Sequence, residues 1–227
     1  MGTRLSVVLL AGGFGTRLQE IAKGVPKPIV QLSSGETAIE SLMTSLVEAS
    51  MPLEFVVCVG HGAEQIMKKL GDNHLGTPIV YSLEDEPLGT GGAVLNALPK
   101  IKTEQFLKLN TDTFFDFRQI AKVVPNVREQ VAFISSHTDS NDQFDGLVQG
   151  DEKVQLIDRR ANPNNAILGA YFLKKATFCN VAVEKCSLEN LLFETLEAEM
   201  LLYDIACKFL DIGTVEGYAA YGEFNAK

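Results

Sequence analysis

The chain has 227 residues, 46% of them hydrophobic and 22% charged, an ordinary globular composition that excludes disorder, collagen and membrane spans. At this length one domain can bury a core without disulfide or metal staples. Twenty Lys+Arg against 29 Asp+Glu give a formal net charge of -9, which argues against nucleic acid or an anionic membrane as the main partner; a small anionic substrate stays open, since a basic cluster or a bound metal can reverse the field inside one cleft.

The first predicted element is the strand LSVVLLA (5–11), continuously apolar and so expected to be buried on both faces. It is too short to cross a bilayer and runs into Gly12 and Gly13 without a cleavage-site pattern, so it is not read as a signal peptide. Residues 36–49 place Ile39, Leu42, Met43, Leu46 and Val47 on one face of a helix. Strand FVVCVG, helix AEQIMKKL, strand PIVYSL, a helix starting near Thr90 and strand FLKLN follow. This alternation predicts a doubly wound sheet. From Val131 the strands VAFISSH, GLVQG, KVQLID and AILGAYFL have short links, which predicts hairpins and a mixed sheet edge. Residues 187–200 read as an amphipathic helix opened by Ser187, and LLYDIAC and KFLDIG are expected to return to the sheet before a last helix over 215–223. The expected fold is a single three-layer α/β/α domain over 1–227 with a mixed, mainly parallel sheet.

Cys58, Cys179, Cys186 and Cys207 lack CxxC spacing and are expected to be reduced thiols in a cytoplasmic protein. His61, His74 and His137 show no metal-ligand spacing and read as structural or surface residues, and Phe114, Phe115 and Phe117 as core.

The strongest local signal is LAGGFGTRL (10–18), where three glycines allow a sharp turn and close backbone approach to a ligand, exposing N–H groups that can cradle phosphates. It is neither of two common glycine loops. A dinucleotide-binding GxGxxG would need glycine at Leu18, and a Walker loop would end in Gly-Lys-Ser/Thr rather than Thr16-Arg17. Arg17 supplies a planar charge suited to phosphate oxygens, and Lys27, held between Pro26 and Pro28, supplies a rigidly placed ammonium.

Taken with EDEPLGTGGA (84–93), LNTDTFF around Asp112 and FLDIGTVEGY (209–218), these residues make the chain similar to the sugar-1-phosphate nucleotidyltransferase family. The match runs from Leu5 to Tyr218 with four motifs in the family's order, and PLGTGGA followed by DTFF resembles its heptose 1-phosphate guanylyltransferase branch, with the mannose 1-phosphate branch nearby. The resemblance implies a Rossmann-like fold whose residues 1–125 mainly bind nucleotide and 126–227 mainly bind sugar phosphate. It implies that Leu10, Ala11, Gly12, Gly13, Gly15, Thr16, Arg17, Glu84, Gly89 and Thr90 bind the nucleotide. Arg17 and Lys27 would meet phosphates at the reacting centre, Asp112 and Asp211 would hold a catalytic Mg²⁺, and Thr113, Gly146, Asp158, Arg159 and Gly169 would meet the sugar phosphate. The substrates implied are a nucleoside triphosphate and a sugar 1-phosphate; a homo-oligomer is left open.

That inventory suits the chemistry. The attacking oxygen of a sugar 1-phosphate is already ionised at neutral pH, so no general base is needed. The barrier is repulsion between anions and charge on the leaving pyrophosphate, which cations and positioning reduce. Glu84 only accepts hydrogen bonds when ionised, and guanine offers adjacent donors, so GTP is the favoured nucleotide, although a solvated loop acid reads equally from the residue alone. Three positions depart from the family pattern: Thr111 where it has glycine, Asp158-Arg159 followed by Arg160 where it has Glu-Lys, and Ile167 where it has asparagine. Arginine still binds phosphate with a different shape, and Ile167 removes a hydroxyl contact, so the preferred sugar is free to differ. Competing readings are a mannose 1-phosphate guanylyltransferase, a thymidylyl- or uridylyltransferase, and a catalytically silent nucleotide-sugar-binding regulator. The intact set Arg17, Lys27, Asp112 and Asp211 speaks against the last.

Overall fold

The computed structural model describes residues 4–49, 53–123, 130–137, 146–149, 154–157, 165–195, 200–205 and 207–225. Its strands are β1 (Leu5–Leu10), β2 (Leu53–Val59), β3 (Asn73–His74), β4 (Thr77–Leu83), β5 (Gln105–Asn110), β6 (Thr113–Phe115), β7 (Val131–His137), β8 (Gly146–Gln149), β9 (Val154–Ile157), β10 (Asn165–Lys174), β11 (Met200–Asp204) and β12 (Phe209–Asp211). The helices are α1 (Gln19–Ala22), α2 (Ala38–Glu48), α3 (Ala63–Leu70), α4 (Gly89–Ala97), α5 (Arg118–Val123), α6 (Leu188–Asn190) and α7 (Val215–Asn225).

Eight strands form the main sheet in the order β11-β7-β10-β5-β1-β2-β4-β3. β1 pairs in parallel with β2 and β5, β2 with β4, and β7 with β11, while β10 runs antiparallel between β5 and β7. The sheet is mixed and mainly parallel, as the alternating pattern predicted. Period-two alternation sends Val7 and Leu9 of β1 into one apolar cluster with α2, α3, α5 and α7, and Val8 into a second with α4 and α6. Helices therefore cover both faces, which is why β1 carries no polar alternation. From β1 the chain builds outward through β2 to β4 and then crosses to β5 on the other side. The strand order thus reverses between β1 and β5, where open α/β folds place their ligands at the carboxyl ends of the strands.

Phe114, Phe115 and Phe117 are buried core residues, and none of the four cysteines is bonded to another. His61 packs against Phe14, with ring centroids 4.9 Å apart, and His74 Nε2 pairs with the Thr44 hydroxyl at 3.0 Å. Among the described residues no helix is long and apolar enough to cross a membrane.

Two elements differ from expectation. The helix expected over 187–200 is α6 alone, opened by the Ser187 hydroxyl accepting from the Asn190 N–H at 3.0 Å, followed by a wider π turn over Leu191–Thr195. Leu191, Leu192 and Phe193 of this turn all pack against the apolar cluster under α4. Met200 already belongs to β11, paired with Val131. The second difference is KFLDIG. It does not rejoin the main sheet; β12 pairs antiparallel with β6 in a separate two-stranded sheet. β6 follows β5 past the sheet's carboxyl edge, and its exposed backbone groups need a partner there.

Candidate active site

A cleft of about 480 Å³ opens at the carboxyl ends of β1, β4 and β5. The glycine loop forms one wall. Its start is tied to β2 by the Ala11 N–H donating to the Cys58 carbonyl at 2.9 Å, and it closes in a short 3₁₀ turn over Thr16–Leu18. Gly15 has φ +60°, and a Cβ there would stand 2.7 Å from the Lys27 Cβ, so only glycine lets the loop lie on the lysine stem. A Cβ on Gly12 would meet Glu84 Oε1 at 2.9 Å. The opposite wall is the start of α4, where Gly89, Thr90 and Ala93 line the cleft. Thr90 accepts from the Leu188 N–H at 2.8 Å, which anchors α4 to α6.

The charged groups meet at the floor. Lys27 Nζ donates to Asp112 Oδ2. The Asp112 carbonyl accepts from the Ile212 N–H at 2.8 Å, and Thr113 stands opposite Asp211 in the β6–β12 ladder. This short ladder carries Asp211 beside Asp112. The Asp211 side chain is 8% exposed, with Oδ1 accepting from the Gly213 N–H at 2.6 Å and Oδ2 lying 3.8 Å from Arg17 Nη1. Gly213 marks the convergence: a Cβ there would sit 2.6 Å from Asp211 Oδ1, 2.8 Å from Lys27 Nζ and 3.2 Å from Arg17 Nη2. Burial pushes the Asp211 carboxyl above the ordinary carboxylate range, the Asp112 charge adds to this, and the Gly213 N–H, Lys27 and Arg17 only partly offset it. Arg17 is 58% exposed at its side chain, so its pairing with Asp211 is weak and its guanidinium is free to reach a ligand.

Glu84 lies beside the start of the glycine loop. Its Oε2 accepts from the Leu88 N–H at 3.1 Å, and burial raises its carboxyl in spite of that bond. Thr111 is buried and donates its hydroxyl to the Leu10 carbonyl at 3.0 Å, bracing β1 against the turn after β5.

The structure thus brings Leu10, Ala11, Gly12, Gly13, Gly15, Thr16, Arg17, Lys27, Glu84, Gly89, Thr90 and Asp112 to one cleft, with Asp211 joined through Lys27 and Arg17. Thr113 is buried behind it, and Gly169 lies against Asn110 at the floor. Gly146 begins β8 and pairs with Ile157 of β9. Asp158, Arg159 and Arg160 lie outside the described residues. Ile167 is buried in the apolar cluster under α4 and is not among the residues lining the cleft. Sequence reasoning missed Phe14, Asn110 and Lys185, which also line the cleft, and the buried Lys108 beneath it. A lysine in the middle of the apolar strand FLKLN was the available signal.

The donor set suits Mg²⁺. No group of three or more His, Cys, Asp or Glu residues forms a cage among the described residues, which leaves a pair of hard carboxylates whose mutual repulsion is only partly relieved by protein cations. Mg²⁺ favours such a pair, filling its other positions with waters and phosphate oxygens.

A model of the Nucleotidyl transferase family matches residues 6–227. The D-glycero-alpha-D-manno-heptose 1-phosphate guanylyltransferase of Campylobacter jejuni is 32% identical over 222 residues, which are 94% of this chain and 97% of that protein. The mannose-1-phosphate guanylyltransferase catalytic subunit beta of Drosophila melanogaster is 28% identical over 225 residues, 93% of this chain and 60% of the relative. The crystal structure of HddC from Yersinia pseudotuberculosis matches with a TM-score of 0.86 at 26% identity, covering 97% of this chain and 99% of that one. Its complex with GMP-PN gives a TM-score of 0.83 at 25% identity over the same shares. Agreement that extends along nearly the whole length in both sequence and fold leaves one assignment: the chain belongs to the nucleotidyl transferase family.

Proposed function

We propose that the protein joins GTP and a heptose 1-phosphate to give a GDP-sugar and pyrophosphate. The observation that carries this reading is the convergence of Asp211, Lys27 and Arg17 around Gly213, with Lys27 also on Asp112. In the reaction the sugar phosphate oxygen forms a bond to the α-phosphorus of the triphosphate while the bond from that phosphorus to the α,β-bridging oxygen breaks. The glycine loop offers backbone N–H groups to the triphosphate, and Arg17 reaches its phosphates from the exposed lip. Lys27, rigid between its prolines, holds a positive charge beside the reacting phosphorus, which lowers the repulsion between the two anions. Asp112 and Asp211 would hold Mg²⁺, which when bound neutralises charge on the phosphates and orients them. Residues 1–125 supply the loop, Lys27, Glu84 and Asp112, and act as the nucleotide half; residues 126–227 supply Asp211 and serve the sugar phosphate. Glu84 accepts hydrogen bonds from the guanine edge, which is supported by its place in the cleft lining beside the glycine loop. The heptose and the guanine both rest on the likeness to the Campylobacter jejuni relative and to HddC.

The test is a pyrophosphate-release screen that crosses the common nucleoside triphosphates with a panel of sugar 1-phosphates. GTP with a heptose 1-phosphate is expected to give the highest kcat/KM. A higher value with mannose 1-phosphate would move the protein to the branch of the Drosophila melanogaster relative. Asp112→Asn and Asp211→Asn should each lower kcat by about 100-fold or more; normal release by both would remove the metal assignment.

A further inference from the structure

Lys108 stands in the middle of β5, between Val8 of β1 and Tyr171 of β10, and is 1% exposed. An aliphatic side chain would fill this position, and an ammonium there is costly unless its donors are met. They are met. Nζ donates to Asn110 Oδ1 at 2.8 Å and to the Gly169 carbonyl at 3.3 Å, and it lies 4.3 Å from the centre of the Tyr171 ring. Tyr171 donates to Glu189 Oε1 at 2.7 Å, and the Thr90 hydroxyl donates to Glu189 Oε2 at 3.5 Å. A polar chain therefore runs beneath the cleft from Asn110 at its floor to Thr90 on the α4 wall. Burial pushes the Lys108 ammonium down to about 8, and Glu189, Asp112 and Cys58 oppose the shift, so it stays charged at neutral pH.

The consequence falls on Asn110. Its amide oxygen is taken by Lys108, so the amide cannot flip, and its Nδ2 has no protein acceptor among the described residues. Gly169 makes room for that amide: its φ is +66°, and a Cβ there would stand 2.4 Å from Nδ2. Asn110 lines the cleft two residues before Asp112. On the proposed reaction both the ribose and the acceptor sugar are bonded to phosphates gathered at Asp112, which brings a sugar ring into the cleft that this amide lines. A fixed neutral donor suits a hydroxyl, whereas the phosphates are matched by Arg17 and Lys27.

We propose that Lys108 is a positioning residue that locks the Asn110 amide so that Nδ2 faces the cleft as a hydrogen-bond donor to a sugar-ring hydroxyl, on either the ribose or the sugar 1-phosphate. The proposal rests on the nucleotidyl-transfer reading. The test measures kcat and both KM values for the wild type, Asn110→Ala, Lys108→Met and the double variant. Asn110→Ala should raise one KM about tenfold, the size of one lost hydrogen bond to a buried site, with kcat within about twofold. Lys108→Met should raise the same KM, and the double variant should match Asn110→Ala alone, since the lysine acts through the amide. The substrate whose KM moves, GTP or the sugar 1-phosphate, identifies the ring. Unchanged KM values in Asn110→Ala, or effects that multiply in the double variant, would overturn the proposal. If Lys108→Met does not fold, Asn110→Asp decides: replacing the donor with acceptors must raise the same KM at least as far as alanine does. Absence of wild-type turnover with every sugar 1-phosphate would overturn the nucleotidyl-transfer reading and this proposal together, whereas wild-type turnover with unmoved KM values overturns the proposal alone.

Discussion

Gly213 shows what a single hydrogen atom in place of a methyl group makes room for. Its N–H holds Asp211 Oδ1 at 2.6 Å, and the space a Cβ would take lies within 3.2 Å of Asp211, Lys27 and Arg17 atoms at once. Gly213→Ala should therefore push the carboxylate off its hydrogen bond and lower kcat by about tenfold or more. Wild-type rates in a pyrophosphate-release assay would show that the three groups need not meet there. Glu84 makes a different residue-scale point. Burial raises its carboxyl, yet the Leu88 N–H engages only Oε2, and Oε1 is directed at the glycine loop. Glu84→Gln replaces an acceptor pair by one acceptor and one donor, so the ratio of kcat/KM for GTP over UTP should fall by about tenfold. An unaltered nucleotide profile would retire the base-reading role. Glu84 could be named from sequence, whereas the role of Gly213 could not, because it depends on Lys27 and Arg17, which are far away along the chain.

At the scale of elements, local chemistry explains where helices begin. The Thr37 N–H and hydroxyl both donate to Glu40 Oε2, at 2.9 and 2.7 Å, at the start of α2. Burial alone would raise the Glu40 carboxyl, but the Thr37 hydroxyl, the Thr37 N–H and Lys69 outweigh it and hold the carboxyl below its ordinary value. A carboxylate held low in the folded state contributes stability that is full above its unfolded value and is lost as pH falls through the folded one. Thr37→Ala should thus cost about 1 kcal/mol in urea unfolding at pH 7, and the difference from wild type should shrink as pH falls through the lowered Glu40 value of the folded wild type. A difference independent of pH would assign the loss to helix propensity rather than to the cap. The same scale contains the two departures from expectation. The π turn after α6 carries Leu191, Leu192 and Phe193 against one apolar cluster, and β12 leaves the main sheet because β6 needs a partner. Neither reason can be read from hydrophobic period, which reports which residues are buried and not against what.

For the whole molecule, the cleft lies where the strand order reverses, and its residues come from segments joined only in the folded state. A ligand that touches the loop, Lys27 and both aspartates binds the native form alone. Saturating GTP with Mg²⁺ at about 100 times its Kd should stabilise the fold by about 2.7 kcal/mol, a rise in Tm of several degrees measured by scanning calorimetry. Chelation with EDTA should remove most of that rise, and Asp211→Asn should show the same small rise with or without EDTA. A full shift in the absence of any divalent ion would contradict the metal role of the two carboxylates.

What could be read from the residues alone was local. Strand LSVVLLA, the helix read over 36–49, the glycine turn and the proline-bracketed lysine each follow from side-chain size, period or a restricted φ within a few neighbours. The exact strand order, the pairing of β12 with β6 that sets Asp211 beside Asp112, and the polar chain from Lys108 under the cleft became visible only in the fold. These depend on contacts between residues roughly a hundred positions apart, whose formation is governed by the fit of two packed faces and the closure of long loops. A lysine in an apolar strand looks like a flaw until Asn110, Gly169 and Tyr171 are placed around it.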